Sequence, residues 1–234
     1  MSMNSTFEEA KTEIRGLIEI LFTKVTDALT QSIKAFEDLD VELVDNITSI
    51  YNDVEKIYHK LEDIIYNAIA SLQPKDIELR RLIAYVNTSN GLHSVGRFAA
   101  KIGEIVTLCD GLDHFKELET LPYLAELAKA ALSISIRSVL DENLTEIDEL
   151  EKIEAQSDAE LVDMFQEIAE YLNKRHDISA IAMYYVIVGR YFERAADQAI
   201  SIAEYATYLV TGERKKLGLA YEGMNDISDL VIDM

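Results

Sequence analysis

The sequence predicts an all-α fold: six long helices forming two tandem three-helix bundles. Three observations carry that expectation. Only nine glycines and two prolines occur in 234 residues, too little turn chemistry for a strand-rich fold. Apolar residues recur in steps of three and four along most of the chain. The second half also repeats the plan of the first, and internal duplication changes the reading of the whole fold.

The first helix carries an apolar stripe from Phe7 through Ile14, Leu17, Leu21 and Val25 to Phe36. In the second, Ile47, Tyr51, Val54, Tyr58, Leu61 and Ile65 form a seam suited to bundle packing. Gln73-Pro74 ends it, because proline lacks an amide proton and clashes with a continuing turn. A third helix is expected over residues 76–109, frayed or kinked at Asn87-Thr88-Ser89-Asn90-Gly91, a poor helix-forming run. Gly111 and Pro122 bracket the next connection. Helices over residues 121–142, 144–173 and 177–211 follow, with Gly212 where a C-cap belongs. Residues 217–234 read as a short helix or a mobile tail. The expected domains are therefore 1–111 and 112–212, with a C-terminal tail over 213–234.

The halves align residue to residue. Shifting the sixth helix back by one hundred brings Ala196 onto Gly96, Ala199 onto Ala99, Ile202 onto Ile102 and Glu204 onto Glu104. Shifting the fifth back by 103 brings Glu154, Leu161 and Ile168 onto Tyr51, Tyr58 and Ile65.

Hydrophobic residues make up 49% and charged residues 28%, the balance of a soluble globular chain. No run approaches the roughly 18–20 apolar residues of a membrane span. Residues 1–15 carry Glu8, Glu9 and Glu13 and no apolar core, unlike a secretory signal. A net charge of −21 argues against nucleic acid and anionic lipid as partners. The short basic run Arg214-Lys215-Lys216 is expected to complement a helix C-terminus. Cys109, the lone cysteine, suits a reducing cytoplasm and reads as a buried, inert thiol.

One seam position is out of place. Glu154 stands where the fifth helix needs an apolar residue, and Asp158 follows at i+4 on the same face. The sixth helix repeats the pair type with Glu193 and Asp197, and Glu204 lies about 20° further round. Gly189, Ala195, Ala196, Ala199 and Ala203 on that helix let a neighbour approach closely. Facing carboxylate pairs repel unless a cation binds or their pKa values shift. An all-carboxylate site suits Mg²⁺, Mn²⁺ or iron. Against this, i,i+4 acid pairs recur on a chain with 43 acidic residues, as in Glu9/Glu13 and Asp163/Glu167, where a solvated face is the ordinary explanation. No histidine has an acid three residues upstream, and no P-loop, dinucleotide turn or zinc spacing is present, so no catalytic apparatus is visible.

The chain resembles the PhoU family. The match runs through Gln73-Pro74, Leu79-Arg80 and Gly103-Glu104 in the first repeat. In the second it runs through Glu193-Arg194-Ala195-Ala196-Asp197, Ala203-Glu204 and Tyr208 to Gly212, with Glu154 and Asp158 at the upstream acidic motif. The resemblance implies a cytoplasmic, non-enzymatic regulator of phosphate uptake and homeostasis. It also implies a homodimer that communicates with a phosphate ABC-transporter ATPase and, in many bacteria, a sensor kinase. Carried over by position, Glu154, Asp158, Glu193 and Asp197 would hold a divalent or trivalent metal ion: iron, Mg, Mn or Zn. The alternative is a helical scaffold or adaptor for another ion transporter, without bound metal. The first repeat departs from the pattern, placing Tyr51, Glu55, His93 and Arg97 at the equivalent positions. An Arg97–Glu55 ion pair is expected there as a substitute for the ion. One ion site per chain follows.

Overall fold

The structure is a computed structural model and describes residues 3–219. Six long helices appear in the expected order: α1 (Met3–Asp38), α2 (Glu42–Leu72), α3 (Asp76–Leu108), α4 (Thr120–Leu140), α5 (Ile147–Lys174) and α6 (Ser179–Thr211). A 3₁₀ turn, His176–Ile178, leads into α6.

Local chemistry sets the boundaries. The Asp40 carboxylate accepts the Glu42 N–H at 2.9 Å, satisfying a donor at the start of α2. Gln73 takes a left-handed conformation at φ 48° and its N–H closes on Ile69 O, so α2 stops directly before Pro74. Pro122 falls in the first turn of α4, where its missing N–H removes no helical bond. The Asn143 side chain accepts the Thr145 N–H at 3.0 Å before α5, whose first turn holds Asp148 and Glu149. Gly212, at φ +79°, caps α6 with its N–H on Tyr208 O.

Helices α1, α2 and α3 pack against one another, as do α4, α5 and α6. The halves meet through α3 on α6 and α1 on α4, and a continuous apolar core spans both. Phe36, Tyr85, Tyr185 and Phe192 are its largest fully buried side chains. Burying each such aromatic contributes on the order of 2–3 kcal/mol.

The kink expected at residues 87–91 does not form. Helix α3 runs through them unbroken. Thr88, Ser89 and Gly91 are buried, and Gly91 lies against α6, where a Cβ would stand 2.9 Å from Ile202 Cδ1. Asn87 Nδ2 and Ser89 Oγ donate back to their own helix, to Ile83 O and Val86 O, both at 2.8 Å. Tertiary packing overrides the weak local propensity, because small residues are what a close helix crossing requires.

Arg214-Lys215-Lys216 does not cap α6 either. The run lies past Gly212, and residues 213–219 turn back along the helix. Arg214 stacks on the Tyr208 ring at 4.7 Å, Lys216 reaches Glu204 at 3.7 Å, and Leu217 is buried. Arg80 of α3 serves the helix end instead, donating to Tyr208 O at 3.4 Å. Beyond residue 219 the expected tail lies outside the described residues. Among the described residues no helix is long and apolar enough to cross a membrane.

Candidate metal centre

Helices α5 and α6 approach closely because α6 is stripped of bulk on the facing side. A Cβ on Gly189 would stand 2.5 Å from Met164 Cε and 3.0 Å from Leu161 Cδ1, both on α5. Ala195, Ala196, Ala199 and Ala203 on the same helix are also small and buried. The i,i+4 spacing then aims each acid pair across the contact. Glu154 and Asp158 of α5 and Asp197 of α6 present carboxylate oxygens within 4.8 Å of one another. Oxygens sharing one cation are separated by at most about twice a bond of roughly 2.0–2.5 Å, so one ion can bridge these three.

Glu193 stands apart from the other three expected ligands. It is only 6% exposed, its Oε1 accepts from Arg190 at 2.6 Å, and its Oε2 is buried with no hydrogen-bond partner among the described residues. Ser157 Oγ, on the turn of α5 that carries Glu154 and Asp158, is buried in the same condition. Orphaned polar oxygens on both helices beside a carboxylate cluster are groups that an ion and its water ligands can satisfy.

The electrostatics are those of acids brought together. Burial, then the charge of Asp197, pushes Asp158 up to about 6, with Arg190 opposing. Burial and Asp197 likewise push Glu193 up to about 7, against Arg190. Asp197 is raised by burial and restrained by Arg190 and Arg194. Each carboxylate is thus held in an environment that disfavours its own charge, and a cation relieves that penalty.

Glu204, on the same side of α6, is engaged elsewhere: it accepts the Leu217 N–H at 3.1 Å and pairs with Lys216. Gly218 donates its N–H to Glu151 Oε1 at 2.9 Å and lies beside the Glu154 carboxylate. Sequence reasoning missed Glu151 and the returning segment. Its one local signal was Gly218, which takes φ +81°.

In the first repeat the equivalent positions also converge, with different chemistry. Tyr51 Oη donates to Glu55 at 3.1 Å and lies 3.3 Å from His93 Nε2, while the Tyr58 ring stacks on His93 at 4.4 Å. Burial lowers the His93 pKa, favouring the neutral imidazole. The expected Arg97–Glu55 ion pair does not form. The basic side chain nearest Glu55 is the imidazole of His93, at 4.0 Å, and Arg97 is exposed. Tyrosine and histidine fill this site with rings, so a guanidinium has no buried charge to neutralise.

Cys109 is buried, its thiol donates to Ile105 O, and burial pushes its pKa up to about 11. An unreactive thiol follows.

A sequence model of the PhoU domain matches twice, over residues 18–106 and 121–206. The chain belongs to the PhoU family. The two matches fall on the two helical bundles and together span most of the chain. A phosphate-specific transport system accessory protein PhoU homolog of Methanothermobacter thermautotrophicus is 23% identical, covering 89% of this chain and 95% of its own. A PhoU homolog of Thermotoga maritima is 22% identical over 90% of this chain and 91% of its own. The crystal structure of PhoU from Pseudomonas aeruginosa superposes with a TM-score of 0.81 at 18% identity, covering 88% of this chain and all of that one. The phosphate transport system regulatory protein PhoU of Streptococcus pneumoniae gives 0.79 at 19% identity, over 92% of this chain and 100% of its own. At these identities the structural matches establish the PhoU fold.

Proposed function

We propose that this PhoU protein is a cytoplasmic, non-enzymatic regulator of phosphate uptake that binds one metal ion per chain. Glu154, Asp158 and Asp197 are the direct ligands, and Glu193 with Arg190 forms the wall behind them. The observation that carries the ion reading is the convergence of three carboxylates from two helices within one ion's reach, with both aspartates in surroundings that disfavour their charge. The regulatory reading is supported by family membership and by relatives described as accessory proteins of phosphate-specific transport. When bound, the ion supplies a fixed positive charge that ties α5 to α6. The donor set is all oxygen, which favours Mg²⁺, Mn²⁺ or iron over softer sites for zinc. A homodimer is the assembly we propose, with a phosphate ABC-transporter ATPase as partner and a sensor kinase as a second.

Capture from native cells grown in phosphate excess and in phosphate starvation tests the regulatory role. The wild-type chain is expected to retain a phosphate-transport ATPase in one condition and release it in the other. Asp197→Ala is expected to reduce that recovery. A metal-free scaffold for another ion transporter predicts instead a different transporter component, unchanged by phosphate and by the substitution.

A further inference from the structure

The returning segment 213–219 and the last turns of α6 form a half-open cavity of about 290 Å³. Ser201, Glu204, Tyr205 and Tyr208 wall it on the helix side, and Arg214, Lys215 and Lys216 close the other. Three consecutive cations therefore face one concavity on a chain whose net charge is −21.

Two of the three charges are not cancelled locally. The single carboxylate in the lining, Glu204, is already engaged by Lys216 at 3.7 Å and by the Leu217 N–H at 3.1 Å. Neither Arg214 nor Lys215 has an ion-pair partner among the described residues; Arg214 is held over the Tyr208 ring at 4.7 Å. That cation–π contact holds the guanidinium near the ring face and uses none of its N–H donors. The hydroxyls of Ser201 and Tyr205 add neutral donors beside the cations. The segment carrying the cations is itself anchored, by buried Leu217 and by the Gly218 N–H on Glu151. It is a fixed wall rather than a loose basic tail.

We propose that this cavity binds a phosphorylated small molecule bearing a ring. Its phosphate oxygens meet Arg214 and Lys215, and its ring lies against Tyr205. Guanidinium and ammonium donors beside hydroxyls are the chemistry that recognises phosphate oxygens. A single oxyanion leaves much of 290 Å³ unfilled, and the aromatic walls supply apolar surface for an organic group. The proposal stands independently of the ion site: none of Glu154, Asp158 and Asp197 lines the cavity.

Calorimetric titration of the full chain with ADP and with phenyl phosphate tests it, at low salt and with a chelator present. The chelator removes any cation that would bind phosphate through the acidic site. At least one probe is expected to bind with a Kd below about 1 mM, about ten-fold tighter than inorganic phosphate. The double substitution Arg214→Gln/Lys215→Gln is expected to weaken that binding by about ten-fold or more. Both residues are exposed, so an unchanged thermal melt verifies the fold of the variant. Absence of binding by both probes at about 1 mM overturns the proposal. So does binding that the double substitution leaves intact, which places the anion elsewhere.

Discussion

Glu193→Gln is expected to raise the stability of the ion-free protein by about 2 kcal/mol near pH 8 and to leave it nearly unchanged near pH 5. The side chain is 6% exposed with Oε2 unpartnered, and its pKa is pushed up to about 7 from an ordinary 4.5. A carboxyl raised in the folded state binds a proton there after the unfolded chain has released its own. Stability therefore falls as pH rises from about 4.5 through about 7, and the full penalty stands above that range. Glutamine keeps the shape and never ionises. Its gain is smaller than the full shift implies, because the 2.6 Å ion pair with half-exposed Arg190 is lost. Asp158, pushed up to about 6 from 3.8, adds a similar decline between those two values. Urea unfolding with chelator present, at the two pH values, measures the difference. Equal destabilisation of the variant at both would show that Glu193 is a structural ion-pair partner rather than a strained acid.

Gly91→Leu is expected to destabilise the protein by about 3 kcal/mol or more, through the contact that joins the two repeats. Even a Cβ at residue 91 would stand 2.9 Å from Ile202 Cδ1 and 3.0 Å from Cγ1, so a full isobutyl group must push α3 off α6. Gly16 supplies the control. It lies inside α1 with nothing within 4 Å of a built Cβ, so Gly16→Ala is expected to stabilise by about 0.5–1 kcal/mol through helix propensity alone. Thermal or urea unfolding of the two variants checks both signs. A Gly91→Leu variant as stable as wild type would mean that the α3–α6 contact is not the joint the packing indicates.

Those two glycines show which parts of the fold were legible in the sequence. Helix number and order followed from apolar periodicity and from a few terminators, Pro74 and Gly212 above all. Residues 87–91 misled because propensity describes an isolated helix, whereas Gly91 serves a crossing that only tertiary structure reveals. The acidic site was legible at Glu154 as a carboxylate in an apolar seam, and at Asp197 through spacing. Glu193 shares that spacing, yet it is buried and engaged by Arg190 three residues earlier. A helical period cannot rank two acids on one face by depth. Of the first-repeat positions Tyr51, Glu55 and His93 come together, but charge arithmetic chose Arg97 as the partner of Glu55. Ring stacking of Tyr58 on His93 and the Tyr51 hydrogen bond decided it otherwise. The return of residues 213–219 over α6 had no periodic signal, because it is fixed by single contacts from Leu217 and Gly218.

The most direct test of the central claim is the stoichiometry of Mn²⁺ binding to chelator-stripped protein near pH 8, followed by titration and elemental analysis. One ion per chain is expected, with affinity rising as pH increases through about 6, where Asp158 loses its proton. Asp158→Asn and Asp197→Asn are each expected to weaken it by about ten-fold or more, while Tyr51→Phe in the first repeat leaves it unchanged. Two ions per chain, or an affinity indifferent to both aspartate substitutions, would contradict the assignment of a single ion site to the second repeat.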